Sequence, residues 1–224
     1  MSAKIGATEG TNTTARLISR TSVVLGGQVG LAWLGSLATW SVPTTSLNLW
    51  ALAIIFLAAA FGSTLWGASA DKDDPSPVLG AAVFAFSTGA FLGPALAMHT
   101  AELGAAVVGS VCAASLAGLA AAGTVASLLS FNWRRLESWL IPALWGLIGV
   151  QLLGALVSMP AGLHQGVSLA GAGMFLLFMV VDVARMFAMG EAGADSWGAA
   201  VVVANNLFLD LANFLLHVLS ALGD

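Results

Sequence analysis

The chain has 224 residues, of which 58% are hydrophobic and only 8% charged, and its formal net charge is -4. Soluble domains carry about 25% charged residues, so this chain has too few to cover a surface that faces water. It is predicted to be an integral membrane protein with the lipid bilayer as its partner. The single Cys112 excludes an intrachain disulfide. No basic cluster with interleaved aromatic residues is present, which argues against a nucleic-acid partner.

Seven apolar runs are long enough to cross a bilayer, for which an α-helix needs about 20 residues. The runs cover residues 21–42, 49–69, 78–98, 104–129, 138–159, 166–189 and 197–221. The sequence thus predicts an all-α integral membrane protein. It has a polar N-terminal segment over 1–20 and a single seven-helix transmembrane domain over 21–224. Six spans with one re-entrant segment, or eight spans, are the alternative counts.

The positions of Lys and Arg predict how these spans are oriented. If residues 1–20 are cytoplasmic, a seven-span chain places every Lys and Arg in its inside segments, with Arg185 counted at the inner end of the sixth run. These residues are Lys4, Arg16, Arg20, Lys72, Arg134, Arg135 and Arg185. An excess of Lys and Arg marks cytoplasmic segments. The N-terminus is therefore predicted inside and the C-terminus outside.

The last two apolar runs each contain a carboxylate, Asp182 in the sixth and Asp210 in the seventh. A charged Asp at the centre of a membrane helix costs roughly 2.5–3.5 kcal/mol on insertion scales. Such a residue normally faces the interior of a helix bundle and has a partner. Because the two runs form an antiparallel hairpin, each Asp is the first candidate partner of the other.

A polar stripe accompanies Asp210 along the seventh run. Asn206, Asp210, Asn213 and His217 are spaced by 4, 3 and 4 residues, which places them on one face of an α-helix. A polar face on a membrane helix is expected to point inward. The seventh helix is thus predicted to be the central helix of the bundle or a wall of its cavity. By contrast, His99 and His164 are expected in solvated outside loops.

Two carboxyl groups at hydrogen-bonding distance cannot both ionise cheaply, so the pair is expected to share one proton. Such a pair can act as a latch that clamps the two helices when protonated. When deprotonated, it repels them and offers oxygen ligands from Asp182 and Asp210 to a transient Ca²⁺ ion. Alternatively, the shared proton simply holds the hairpin together. Arg185 lies three residues after Asp182 and is a competing local partner for it.

Four segments resemble the Bax inhibitor family, the transmembrane Bax inhibitor motif proteins. AGMFLLFMVVDVARMF followed by NNLFLDLANFLLHVL resembles the family's closing helices. FLGPALAMHTAE and AAVVGSVCAASLAGLAA resemble its third and fourth spans, and FNWRRLESWL resembles the linker into the fifth. The likeness covers most of residues 20–224. Unlike some family members, the chain has no charged residue in its second run, 49–69.

The resemblance implies a seven-helix fold whose seventh helix is surrounded by the other six. It also implies a pH-sensitive Ca²⁺ leak across the membrane, gated by a carboxylate pair that matches Asp182 and Asp210. Eukaryotic members of the family restrain cell death, and some bacterial members bind a membrane protease. The composition favours a prokaryotic member in the cell (inner) membrane; a eukaryotic member would lie in an endomembrane.

Two functions remain open at this point. The first is a cation leak or channel with Asp182 and Asp210 as its gate, supported by Asn206, Asn213, His217 and Arg185. The second is a non-conducting accessory or regulatory subunit of a larger membrane complex, such as a membrane protease. No nucleophile–base pair, HExxH helix or phosphate loop is present. We therefore expect no catalysis and no cofactor, with Ca²⁺ as the transported ion.

Overall fold

The computed structural model describes residues 2–43, 46–129, 131–157 and 159–223, and these residues form seven α-helices. The side chains of residues 2–11, including Lys4, lie outside the description, as does Asp224 at the C-terminus. The helices are α1 (Ser2–Thr39), α2 (Ser46–Ser69), α3 (Pro77–Leu103), α4 (Ala105–Leu128), α5 (Trp133–Leu156), α6 (Ala161–Glu191) and α7 (Trp197–Gly223).

All seven helices are long and apolar enough to cross a membrane, so the predicted count of seven is confirmed and the chain is a multi-pass membrane protein. Buried residues make up 56% of the apolar stretch of α3, 50% of that of α6 and 44% of that of α7, against 6% for α5. The seventh helix is thus one of three with extensive burial. Its place as the central helix stays a prediction.

The ends of several helices differ from the predicted runs because of local backbone chemistry. Segment 1–20 is polar but already helical from Ser2 onward. Gly104 is the only residue between α3 and α4, and its φ of 87° is readily adopted only by glycine. This glycine lets the chain reverse directly after Leu103, so residues 99–103, predicted to lie between the third and fourth runs, belong to α3. Asn132 caps α5 by accepting a hydrogen bond from Arg135 N, so the helix starts inside the predicted linker.

The chain divides into two compact units, and three helices contribute residues to both. The first unit contains Met1–Met98 and Met186–Phe208, and the second contains His99–Arg185 and Leu209–Asp224.

In the first unit, α1 and α3 approach each other at small residues. A Cβ atom at Gly89 would collide with the carbonyl oxygen of Ala32, and one at Gly35 would collide with that of Phe86. The Thr39 hydroxyl donates a hydrogen bond to the Ala90 carbonyl at 2.7 Å. In a membrane, where lipid is as apolar as the side chains, close packing of this kind is a main source of helix association.

In the second unit, apolar side chains of α5 and α6 form the core. Its buried residues are Leu140, Met174, Phe175 and Val181, and Phe214 of α7 packs against them. Gly118 of α4 faces Leu176 and Phe214 at ordinary contact distance. Val181 of this core directly precedes Asp182 in α6.

The close approach at Gly89 predicts that Gly89→Ala destabilises the protein. The added methyl group must push α1 and α3 apart, and overpacking of this kind costs about 1–3 kcal/mol. Thermal unfolding in detergent, followed by loss of helical circular dichroism, should show a lower midpoint. Gly109→Ala in α4 is the control, because nothing lies within 4 Å of a Cβ there and alanine favours helix. An unchanged midpoint for Gly89→Ala would contradict the packing.

Candidate functional site: a buried acid pair in the second unit

The structure brings the carboxyl groups of Asp182 and Asp210 together within the second unit. The two carboxyl groups lie close enough to act on each other's ionisation, although no hydrogen bond of normal geometry joins them among the described residues. Asp182 is half-buried on α6, and Asp210 on α7 is buried with 9% exposure. By strict distance and angle, Asp210 Oδ2 has no hydrogen-bond partner among the described residues. The contact therefore leaves part of this buried carboxyl group unsatisfied.

Arg185 interacts with two acidic residues, Glu137 and Asp182. Its Nη1 lies 3.7 Å from Glu137 Oε1 of α5, and its charge also acts on Asp182 one turn earlier in α6. Glu137 in turn acts on Asp182 as a like charge. The sequence left open whether Asp182 pairs with Asp210 or with Arg185, and in the structure it interacts with both.

The predicted polar face of α7 does not act as one surface. The Asn213 side chain donates a hydrogen bond to the Leu209 carbonyl of its own helix at 2.9 Å, so its amide is used locally. Asn206 is half-buried in the first unit. Among the four polar positions, only Asp210 and His217 are buried.

His217 packs in a defined pocket of side chains within the second unit. Its ring stacks on that of Phe175, with centroids 5.5 Å apart, and its Nε2 lies 3.3 Å from Gln151 Nε2. A Cβ atom at Gly171 would collide with the ring. These contacts fix His217 as a packed helix–helix residue, and they give Gln151 the interhelical role that its place in a membrane run indicates.

The expectation that His99 and His164 lie in loops is wrong, although His164 is exposed. Both belong to helices, His99 to α3 and His164 to α6. His99 is buried, with its Nδ1 3.7 Å from Glu102 Oε2. The reason is that α3 continues to Leu103 and α6 already begins at Ala161.

The sequence analysis missed Asn205, which precedes Asn206 and is almost completely buried in the first unit. Gln28 Nε2 of α1 donates to Asn205 Oδ1 at 2.7 Å, and Asn205 Nδ2 donates to Ser63 Oγ of α2 at 3.0 Å. The sequence did contain an indication of this contact. Two adjacent asparagines in an apolar run point to different sides of the helix, and a glutamine in another run, Gln28, needs a polar partner on a neighbouring helix.

Asp195, in the loop between α6 and α7, was also missed. In the first unit, its carboxylate lies 2.9 Å from both Arg16 Nη1 and Lys72 Nζ, and Arg20 donates a hydrogen bond to its backbone carbonyl. The hydrogen bond from Lys72, together with the charges of Lys72, Arg16 and Arg20, holds the pKa of Asp195 below its ordinary value despite burial of the side chain. Three of the seven cations from which the orientation was predicted, Arg16, Arg20 and Lys72, thus contact this one acid.

A metal ion would find few ligands near the acid pair. Among the described residues, no group of three His, Cys, Asp or Glu side chains could hold one. Asp182 and Asp210 supply carboxylate oxygens, which suit a hard cation such as Ca²⁺. Ca²⁺ takes six to eight oxygen ligands, which is more than two carboxyl groups supply.

A protein-family model, described as inhibitor of apoptosis-promoting Bax1, matches residues 14–224. The chain belongs to the Bax inhibitor family. The match spans nearly the whole sequence, including α6 and α7 with their aspartates, so the resemblance of the four segments is confirmed as membership. No curated protein matches this chain.

The contacts of Asp195 predict a pH-dependent contribution to stability in this Bax inhibitor family protein. Because the folded-state pKa is lowered, the contribution is complete above the unfolded carboxyl pKa of about 4 and is lost as the pH falls through the folded value. At pH 7, Asp195→Asn should cost about 1 kcal/mol, since both cations are more than half exposed and solvent screens them.

The measurement is thermal unfolding in detergent at several pH values. The difference between Asp195→Asn and the unchanged protein should shrink as the pH falls below about 4, once the wild-type carboxylate is itself protonated. Asp73→Asn serves as the control, because Asp73 is an exposed residue of the α2–α3 loop. If both variants unfold alike at pH 7, the stabilising role of Asp195 is wrong.

Proposed function

We propose that this protein is a pH-sensitive cation leak of the membrane, gated by Asp182 and Asp210, with Ca²⁺ as the transported ion. The observation that supports it is the close approach of two carboxyl groups from two membrane-spanning helices. Such a contact is expensive inside a bilayer, and ionisable residues at this depth typically mark ion or proton pathways. The proposal assigns no catalytic residue and no resident cofactor.

The gate works through one shared proton. While the proton is held, the pair carries one negative charge and its hydrogen bond joins α6 to α7. Loss of the proton leaves two like charges a few ångströms apart, which repel each other and no longer share a hydrogen bond. The unsatisfied Asp210 Oδ2 then adds to the oxygen atoms that a cation could meet. Flux should therefore rise as the pH rises.

Arg185 and Glu137 set the charge around this gate. Arg185 favours the ionised form of Asp182, while Glu137 opposes it and also draws on the same guanidinium group at 3.7 Å. In this chain, α2 contains no charged residue, and the cation whose charge acts on Asp182 is Arg185 of α6 itself. We propose Arg185 as the residue that tunes the pH at which the gate opens.

The charged cluster around Asp195 supports the proposed orientation, with the N-terminus inside and the C-terminus outside. Within the first unit, Arg16, Lys72 and Asp195 meet, so the start of α1, the α2–α3 loop and the α6–α7 loop share one end. An even number of spans lies between any two of these three segments, so all three lie on the same side of the membrane, as the charge rule requires. We place this end in the cytoplasm and the protein in the cell membrane.

Flux of Ca²⁺ into dye-loaded liposomes tests the gate. The unchanged protein should pass more Ca²⁺ at pH 8 than at pH 6. Asp182→Asn and Asp210→Asn each remove an ionisable group, so at most one negative charge can form at the pair and repulsion is lost. Both variants should show at least a tenfold lower flux at pH 8 and little dependence on pH.

Asp74→Asn is the matched control, because Asp74 lies in the α2–α3 loop and hydrogen-bonds to Ser76; it should leave the flux unchanged. Flux that is independent of pH in the unchanged protein, with a lower unfolding temperature for both gate variants, would mean that the shared proton only holds the hairpin together. Absence of flux at every pH, with a co-purifying membrane partner, would favour the non-conducting subunit.

The tuning role of Arg185 gives a separate prediction. Arg185→Gln removes the positive charge beside Asp182 but keeps a polar side chain of similar reach. The acid pair should then keep its proton to higher pH, so the flux curve should move upward by about one pH unit. Glu137→Gln removes the opposing charge and should move it downward. Identical pH curves for both variants and the unchanged protein would show that this ion pair does not act on the gate.

A further inference from the structure

Three polar side chains meet in the interior of the first unit, each from a different helix. Gln28 of α1 and Asn205 of α7 are 1% exposed, and Ser63 of α2 is 2% exposed. The hydrogen bonds that join them measure 2.7 Å from Gln28 to Asn205 and 3.0 Å from Asn205 to Ser63. All three belong to membrane-spanning helices. We call these residues the amide cluster.

The amide cluster leaves one end of Gln28 unused. Gln28 Oε1 is buried and has no hydrogen-bond partner among the described residues. Exchanging the oxygen and nitrogen positions of both amides keeps the contacts but leaves Gln28 Nε2 unused instead. In either orientation, a buried polar atom remains without a partner. Such an atom is costly in an apolar interior.

Some buried hydroxyl groups of the first unit are satisfied within their own helix. The Ser36 hydroxyl donates to the Trp33 carbonyl at 2.8 Å, and the Thr88 hydroxyl donates to the Phe84 carbonyl at 2.8 Å. This route serves short hydroxyl side chains. Gln28 instead reaches across to another helix with one end of its amide, and the other end has no partner among the described residues.

We propose that the amide cluster is a binding site for water within the first unit, with the unused end of Gln28 as its main contact. Water fits both orientations of the amide, because it donates to an oxygen and accepts from an N–H group equally well. A cation would fit only the amide orientation that leaves the oxygen of Gln28 without a partner. Buried waters typically make about three hydrogen bonds to polar groups, and the three side chains of the cluster offer the remaining ones.

Water-edited solid-state NMR on the protein in lipid bilayers tests the site. Magnetisation that starts on water should reach the side-chain amide nitrogen atoms of Gln28 and Asn205 as fast as it reaches loop residues. The methyl groups of Val24 and Val201, which are buried in the same unit, provide the dry reference and should respond several times more slowly. Equal, slow transfer to the amides and to these methyl groups would overturn the proposal without any variant.

Substitution gives the second arm. Gln28→Leu keeps the approximate size of the side chain and removes both amide ends, so transfer to the Asn205 amide should fall at least twofold. Gln165→Leu in α6 is the matched control, because Gln165 also bonds outside its own turn, to the Ala221 carbonyl at 3.1 Å, but lies outside the cluster. Undiminished transfer to Asn205 in Gln28→Leu would refute Gln28 as the water contact.

Discussion

The structure depends on how a membrane-spanning chain accommodates polar groups that lipid cannot solvate. In a bilayer, a carboxyl group or an amide that faces outward has no water to bind, so it must find its partner inside the protein. Asp182 and Asp210 do this in the second unit, and Gln28, Asn205 and Ser63 do it in the first. These contacts determine which faces of α1, α2, α6 and α7 turn inward. Apolar side chains do not, because they are equally stable in the protein interior and in lipid.

Small residues make such polar contacts reachable. Gly35 and Gly89 let the backbones of α1 and α3 come together in the first unit, and Gly171 leaves room for the ring of His217 in the second. A larger side chain at these positions would separate helices that must meet for a hydrogen bond of about 3 Å. At these three positions, the absence of a side chain therefore permits a contact that a larger residue would block.

The sequence was sufficient to predict what depends on composition and period. Seven helices follow from the length of the apolar runs, and the contact of Asp182 with Asp210 follows from the cost of leaving either acid alone in lipid. Helix ends were less predictable, because a single glycine in a left-handed conformation at position 104 replaces a loop. The partners of Asn205 and Asp195 lie more than 120 residues away along the chain, and spacing along one helix carries no information about them.

The four-residue spacing from Asn206 to Asp210 also shows what helical spacing cannot predict. The helical period correctly places residues on a common face, but it does not predict whether a side chain on that face contacts a neighbouring helix or bonds to its own backbone. Asn213 turns its amide back to Leu209, which is a local choice available to any short polar side chain. Only the neighbouring helices distinguish a polar stripe that acts together from one whose members are satisfied separately.

The clamp on Asp195 has a practical consequence for anyone who wishes to label this protein. The α6–α7 connection is short, contains Gly193 with φ of 88°, and carries the acid on which Arg16 and Lys72 converge. A fluorescent protein or epitope inserted there would break three attachments at once. The connection between the last two helices is therefore a poor site for topology reporters, even though its glycine-rich sequence resembles a tolerant linker.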